Sequence, residues 1–412
     1  YRPGQPVLIL SNALSGGGAE AVARLMVAQI SSANCVLFEN DTGVTISGKS
    51  IRAAYRRHHA GAFFTAVVNL WRLAFIQWEK IRLRPVVTIS HLEGPNFANM
   101  LTVRGGRRVL FVHNRISQSY QGHGIRDKVM RYLCKRLYSQ AKMVVAVSPG
   151  IGQELVQSLG VEPSRVIVLP NPVDIKAIER AAMGHYGDYR DTLCKERYLV
   201  SVASLTRQKN HSQMLRIYAQ LISSSKDCAS VRLILLGDGP LRGELQDLCH
   251  HLGLRFFDPQ ESDGFDFKAQ VFFLGFQQNP YPLISRAQLL LLTSHWEGLP
   301  IALLESMSLG IPGVVSDCSE GIRDLWQLPA DVGDCHADQP ALKTPFGVLI
   351  PLGIDDLKPA LCWAEEIEKL LCDPTQRNQY AKACRRRASD YDIDHVTQLW
   401  SQHLLNPSNI ND

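Results

Sequence analysis

The chain has 412 residues, 45% of them apolar and 20% charged, with a net charge of +5. That balance excludes a disordered, collagen-like or disulfide-scaffold polypeptide, and the length implies two or three domains. The longest apolar run, 60–78, is interrupted by Asn69, Arg72 and Gln77, so it falls short of the roughly 18 residues of a membrane-spanning helix.

The first predicted strand is 7–10, followed by a Ser/Gly-rich loop and a helical pattern over 19–29. Short apolar runs at 35–38, 86–89, 109–112, 143–147 and 166–169 continue the strand series, with helical stretches between most of them. Fully apolar strands alternating with helices predict a parallel sheet covered on both faces. Pro170-Asn171-Pro172 punctuates the chain, and a second series follows at 198–202, 231–236, 271–274, 289–293 and 313–316. Two α/β domains are therefore expected, 1–172 and 173–390. The last helix, 393–405, leaves open whether the C-terminal segment (about 391–412) packs back onto the first domain.

The ten cysteines are scattered without a C-x-x-C pair, which reads as reduced thiols and a cytoplasmic protein. The start, Tyr1 to Pro6, shows neither an initiator Met nor a signal-peptide pattern, so a trimmed start is expected. No H-x-x-x-H or H-E-x-x-H occurs, and no metal is expected.

Charge is unevenly spread. Between Ile51 and Lys142 lie 17 Lys/Arg and only three acids, Glu79, Glu93 and Asp127. Arg56, Arg57, Trp71, Arg131 and Lys135 sit where cations are interleaved with aromatic and aliphatic residues. That mixture describes helices resting on an anionic membrane interface; the bland alternative is a solvated basic face over a core stripe. No recognised module accompanies the charge, so nucleic acid is not an expected partner.

The glycine loop, SGGGAE at Ser15–Glu20, lies between a strand and a helix, where backbone N–H groups favour an anion. Gly16-x-Gly18-x-x-Ala21 also satisfies a loose dinucleotide fingerprint, with Glu39 as its ribose acid. In the second half, Arg207 and Lys209 follow a strand, where open α/β sheets bind ligands. Gly237 and Gly275 end two further strands. The segment Glu297-Gly298-Leu299-Pro300-Ile301, running on to Glu305, reads as a loop entering a helix of about ten residues with Pro300 at its first position. The amides of Leu299 and Ile301 would then face a diphosphate. The two carboxylates can accept from sugar and ribose hydroxyls, or serve as a helix-start charge and a solvated face.

These motifs resemble glycosyltransferase family 4, retaining enzymes of the GT-B fold with two Rossmann-like parallel-sheet domains facing an interdomain cleft. The resemblance rests on GGAE at Gly17–Glu20, QKN at Gln208–Asn210, GDGP at Gly237–Pro240, FLGFQQNPY at Phe273–Tyr281, EGLPIALLES at Glu297–Ser306 and SDCSEG at Ser316–Gly321. FLGFQQNP in particular is similar to the bacterial branch that builds polysaccharides on lipid carriers. The resemblance implies that Glu305 binds the nucleotide ribose, Glu297 faces the donor sugar and Lys209 neutralises the diphosphate. Gly17 and Gly18 would form the loop that closes on the phosphates, and His113 would lie near the transferred sugar. His113 can equally be a strand-end histidine without a catalytic role. The family's arginine five positions before the lysine is Ser204 here, leaving Arg207 as the nearest replacement cation.

The implied reaction transfers a hexose or N-acetylhexosamine from a nucleotide sugar, UDP being the family's commoner choice, to a lipid-linked or lipopolysaccharide acceptor. It needs no further cofactor. Fixed dipoles and cations stabilise the departing phosphate, so the reaction is expected to be metal-independent; Asp263-Gly-Phe-Asp266 is spaced wrongly for a D-x-D pair. The expected location is the cytoplasm, peripheral on the inner face of the membrane. Two other classes stay open: a nicotinamide-dependent oxidoreductase using the Gly16–Gly18 loop, and a non-catalytic sugar-nucleotide binder.

Overall fold

A computed structural model describes residues 5–39, 45–54, 62–122, 124–261, 264–328, 340–352 and 357–405. It divides into two compact units, one of Tyr1–Pro172 with Ile393–Asp412, the other of Val173–Asp392. Each is an α/β, Rossmann-like unit built on a largely parallel sheet.

The first unit holds β1 (Val7–Ser11), β2 (Ala33–Leu37), β3 (Ser50–Ala53), β4 (Val87–His91), β5 (Arg107–Val112), β6 (Met143–Ala146) and β7 (Val166–Val168). Their order is β3-β2-β1-β4-β5-β6-β7, all parallel. β1 and β4 are buried along their whole length; β1 accordingly reads as an apolar run, whereas β4 also buries Thr88, Ser90 and His91. The C-terminal helix Ile393–Leu404 belongs to this unit. The Arg107 guanidinium donates to the carbonyls of His403 and Leu404 at its end, where the helix dipole favours a cation.

The second unit holds β8 (Tyr198–Val202), β9 (Arg232–Leu236), β10 (Phe256–Phe257), β11 (Val271–Phe273), β12 (Leu289–Leu292), β13 (Gly313–Asp317), β14 (Leu342–Thr344) and β15 (Gly347–Pro351). The order is β10-β11-β9-β8-β12-β13-β15-β14, parallel except for the β14–β15 pair. Helix His211–Ser224 buries Met214, Leu215, Ile217, Tyr218 and Leu221 at helical spacing. They join Leu233, Leu235, Leu289, Leu291, Trp363 and Ile367 in one core.

Several boundaries differ from expectation. The helix after the glycine loop begins at Gly18. Pro300 is the N-cap, with φ −70° and ψ 113°, and the helix runs Ile301–Ser308. Proline's φ suits either position, so extended ψ is what keeps it outside the helix. Four strands outside the expected series appear: β3 and β10 at sheet edges, and the β14–β15 hairpin.

The basic region needs the larger correction, because much of its charge is spent internally. Glu79, almost fully buried, accepts from both Arg52 and Arg82. Arg72 donates to the Phe38 carbonyl, Arg108 to that of Met100 and Arg131 to that of Tyr120. Lys80 is fully buried against the Asn99 carbonyl and side-chain oxygen, and burial lowers its pKa to about 7. Arg56 and Arg57 lie outside the described residues. No described helix is long and apolar enough to cross a membrane, and the described cysteines are all free.

Candidate functional site

Strand order in the second sheet reverses between β8 and β12, and ligands of open α/β sheets bind beyond the strand ends at such a point. The segments leaving those two strands carry QKN and EGLPIALLES. A short 3-10 turn, Arg207–Lys209, follows β8 and leads into Asn210, left-handed at φ 50°. The two segments are stitched together by backbone and side chain. His295 N–H donates to the Gln208 carbonyl (2.8 Å), and Gln208 Nε2 donates to the Trp296 carbonyl (2.8 Å). The Thr293 hydroxyl lies within reach of the Lys209 and Asn210 carbonyls (3.1 and 3.0 Å).

This stitching brings Lys209 and Glu297 together across 88 residues of sequence, Nζ to Oε1, at 2.6 Å. Glu297 is only 5% exposed and Lys209 20%. A carboxylate this deep needs its charge matched, and Ser294 Oγ supplies a second donor at 2.6 Å. Ser316 Oγ in turn holds the Ser294 carbonyl (2.6 Å), and Ser319 Oγ reaches the Gly298 carbonyl at 3.4 Å. Glu297 is therefore fixed by an ion pair and does not cap the helix.

Leu299 and Ile301 are buried beside Pro300 at the head of helix Ile301–Ser308. The amides of Leu303 and Leu304 both reach the Pro300 carbonyl; those of Ile301 and Ala302 precede the first bond of the helix and are its natural anion donors. Glu305, half-buried in the second turn, accepts from the Tyr281 hydroxyl at 2.8 Å. It is thus not the freely solvated side chain that its spacing also allowed. Arg207 is exposed and makes no ion pair among the described residues; Ser204 is exposed too.

Gly237 and Gly275 meet at the carboxyl ends of β9 and β11, where Gly237 N–H donates to the Gly275 carbonyl (2.9 Å). Gly237 has φ +142°, and a Cβ there would lie 2.0 Å from the Ala203 carbonyl oxygen. Close passage of two backbones, independent of any ligand, already requires this glycine.

In the first unit the sheet reverses between β1 and β4. Gly17 caps helix Gly18–Gln29, Gly16 takes φ +112°, and all three loop glycines are exposed. Burial raises the pKa of Glu20 in the first turn, and nearby Glu39 adds to the effect. His113 stands just beyond β5, 6% exposed, with Nε2 3.0 Å from Nδ1 of His91 at the end of β4. Burial lowers the His113 pKa to about 3, so the ring is neutral near pH 7.

The residues expected to face a membrane divide. Trp71 is exposed on helix Ala62–Leu83, its Nε1 donating to the Ala54 carbonyl (2.9 Å). Lys135 is exposed on helix Ile125–Tyr138, whereas Arg131 of the same helix is half-buried and tied to Tyr120.

Sequence reasoning missed His91, Tyr281, Ser294 and His211. The last is buried behind Lys209, its Nε2 3.5 Å from Ser201 Oγ and its pKa lowered to about 4, chiefly by burial. Ser294, just beyond β12, and His91, the last residue of β4, stand at strand ends and could have been flagged by that; Tyr281 and His211 open helices and carried no such signal.

Among the described residues no cluster of three or more His, Cys, Asp or Glu could hold a metal. D-x-D spacing does occur in the sequence, at Asp390, Asp392 and Asp394. Asp390 pairs with Arg387, and Asp392 accepts from the Ile175 amide.

Comparison with known proteins agrees along the chain. A model described as glycosyl transferases group 1 matches residues 192–327, and one described as Glycosyltransferase Family 4 matches residues 16–177. A Campylobacter jejuni N-acetylgalactosamine-N,N'-diacetylbacillosaminyl-diphospho-undecaprenol 4-alpha-N-acetylgalactosaminyltransferase is 25% identical over 317 residues, covering 76% of this chain and 74% of the relative. The lipopolysaccharide 1,6-galactosyltransferase of Salmonella typhimurium is 24% identical over 256 residues, 61% of each chain. Among solved structures, WaaG, a glycosyltransferase involved in lipopolysaccharide biosynthesis, superposes with TM-score 0.70 at 15% identity, covering 96% of this chain and 99% of that one. Anabaena HepE in complex with UDP-glucose superposes with TM-score 0.69 at 16% identity, over 96% and 98%. With a glycosyltransferase model matched in each of the two Rossmann-like units, the chain belongs to glycosyltransferase family 4, of the GT-B fold.

Proposed function

We propose that this glycosyltransferase moves a hexose or N-acetylhexosamine from a UDP-sugar to a lipid-linked or lipopolysaccharide acceptor, with retention and without a metal ion. The observation that carries the reading is the Lys209–Glu297 pair seated at the head of helix Ile301–Ser308. Cleaving a sugar–diphosphate bond builds negative charge on the leaving oxygen, and catalysis consists largely of preorganised donors at that oxygen. The Lys209 ammonium and the Ile301 and Ala302 amides are such donors. Glu297, held by Ser294 and Lys209, would share the ammonium with the diphosphate while accepting from a sugar hydroxyl. Glu305 would accept from the ribose, and exposed Arg207 would supply the second cation that Ser204 lacks. The acceptor class follows the relatives, whose names specify undecaprenol-linked glycans and lipopolysaccharide.

The test is a panel of UDP- and GDP-sugars offered to purified protein with a lipid diphosphate glycan, with and without EDTA. Transfer with the donor's anomeric configuration kept, unaffected by EDTA, is expected; silence across the panel would overturn the reading.

The membrane part of the proposal rests on one side of the first sheet. Helix Ala62–Leu83 packs on helix Glu93–Leu101, which packs on helix Ile125–Tyr138. Outward from the first point Val67, Leu70, Trp71, Trp78 and Ile81, one stripe of a helix about 33 Å long. The third exposes Ile125, Val129 and Tyr132 along one face, flanked by Arg126, Lys128, Lys135 and Arg136. Apolar stripes bordered by cations suit an anionic lipid interface at the inner face of the cytoplasmic membrane. Leu70→Glu with Ile125→Glu is expected to lower binding to phosphatidylglycerol vesicles at least tenfold, at about 1.5–3 kcal/mol per apolar side chain withdrawn, and to leave UDP affinity unchanged. Unaltered co-sedimentation would refute this surface.

A further inference from the structure

Two arginines of the first unit stand in a backbone conformation that glycine usually takes. Arg84, just past helix Ala62–Leu83, has φ 47°, and Arg104, in the turn between helix Glu93–Leu101 and β5, has φ 61°. An L-residue is strained there, so glycine or asparagine is the ordinary choice after a helix end. The fold sets the two side by side. β4 and β5 pair in parallel with Val87 opposite Arg107, so each arginine lies three residues ahead of a paired position at the amino end of the sheet. The turns that carry them touch: Arg107 N–H donates to the Val86 carbonyl (2.9 Å), and a Cβ on Gly106 would lie 2.1 Å from that oxygen. Gln77 fastens the second turn to helix Ala62–Leu83, its side-chain amide exchanging hydrogen bonds with the Val103 backbone at 3.1 and 2.9 Å. Ile81 lies one turn further along the same helix face, and Ile81, Leu101 and Val103 are all exposed.

Cations are ordinary at helix ends, where they satisfy the last carbonyls, but here other residues fill that role. Lys80 donates to the Asn99 carbonyl and Arg108 to that of Met100. Glu79, on the last turns of helix Ala62–Leu83, is already shared by Arg52 and Arg82. The side chains of Arg84 and Arg104 are exposed and make no hydrogen bond or ion pair among the described residues. Strain kept for side chains that touch nothing within the protein points to a ligand outside it.

We propose that Arg84 and Arg104 clasp the phosphate of an anionic phospholipid headgroup, with Ile81, Leu101 and Val103 entering the acyl boundary beside it. The assignment rests on the reading of helix Ala62–Leu83 as a membrane-facing element. A guanidinium's planar fork matches phosphate oxygens, and two forks on neighbouring turns can bracket one phosphate between them. The apolar side chains at the same helix ends favour a lipid phosphate over one free in solution, because their burial in the interface adds to the attraction.

The experiment is co-sedimentation of the whole chain with phosphatidylglycerol–phosphatidylcholine vesicles and with phosphatidylcholine alone. Arg84→Gly with Arg104→Gly should lower affinity for the anionic vesicles about 25-fold, roughly fivefold for each basic residue lost at such a surface. Glycine relieves the strain, so the same variant should melt no lower than wild type and keep its UDP affinity. Arg84→Lys with Arg104→Lys keeps the charge but loses both forks, and should bind the anionic vesicles roughly fivefold more weakly than wild type. A lysine variant that binds like wild type would reduce the arginines to diffuse attraction and overturn the site. So would a glycine variant that melts lower, because the arginines would then be holding the turns. Inorganic phosphate that binds wild type and not the glycine variant, with vesicle binding equal in both, would mark a free-phosphate site and overturn the lipid assignment. Vesicle binding lost in Leu70→Glu with Ile125→Glu but kept in the glycine variant overturns the phosphate clasp alone. A wild type that ignores anionic vesicles overturns the membrane reading itself, and the clasp with it.

Discussion

Lys209→Ala is expected to lower kcat/KM for the donor sugar by roughly 10²–10³-fold, the usual cost of removing one charged or dipolar stabiliser of a developing oxyanion. Lys209 contacts the loop before helix Ile301–Ser308 through its 2.6 Å bond to Glu297. Its loss has a second consequence. Glu297, 5% exposed, would keep only the Ser294 hydroxyl as a donor, and a buried carboxylate stripped of its counter-ion destabilises its surroundings. The variant should therefore bind UDP more weakly by calorimetry as well as turn over more slowly. Lys209→Arg should recover part of the binding and little of the rate, because a planar fork cannot occupy the ammonium's position beside Glu297. Rates within threefold of wild type for Lys209→Ala would remove the electrostatic account of leaving-group departure.

Gly237→Ala carries the largest expected stability effect. A methyl group at 237 would meet the Ala203 carbonyl oxygen at 2.0 Å, and φ +142° is itself unfavourable for an L-residue. Neither atom can yield cheaply: Ala203 N–H pairs with the Leu236 carbonyl, and Gly237 N–H with that of Gly275. A loss of about 3 kcal/mol or more is expected, which at about 2–4 °C per kcal/mol lowers Tm by roughly 6–12 °C. Gly243→Ala is the contrasting case. It lies in helix Arg242–His251 with nothing within 4 Å of an added Cβ, so a gain of about 0.5–1 kcal/mol is expected. Calorimetric melting of the two variants separates a backbone requirement from general intolerance of substitution. A Gly237→Ala protein melting within 2 °C of wild type would contradict the close-passage explanation.

The interior strands were legible because burial on both faces leaves no room for polar residues: β1, β8 and β12 are apolar almost throughout. The edges were not. In β3, Ser50 and Arg52 are exposed while Ile51 and Ala53 are half-buried, an alternation of only four residues that a search for wholly apolar runs passes over. β10 has only two residues. Charge was legible as a count and misleading as a location. Arg72, Arg107, Arg108 and Arg131 each end on a backbone carbonyl, and Lys80 is enclosed altogether. Long cationic side chains can satisfy carbonyls several elements away, a use that linear spacing does not register. The apolar stripe of helix Ala62–Leu83 was visible as a pattern, but a core face and an interface face have the same periodicity.

What the sequence determined by itself is the chemical inventory and its order: a glycine loop after the first strand, a lysine after one strand of the second series, and two carboxylates eight residues apart around a helix start. Those signals are local, because φ-permissive residues, strand ends and helix caps are decided within a few residues of chain. Tertiary structure decided which of them meet. Only the adjacency of β8 and β12 carries Lys209 to Glu297 across 88 residues, and only the pairing of β4 with β5 sets His91 against His113. Strand order follows from packing a whole sheet against its helices, a long-range free-energy balance that no short window of sequence contains.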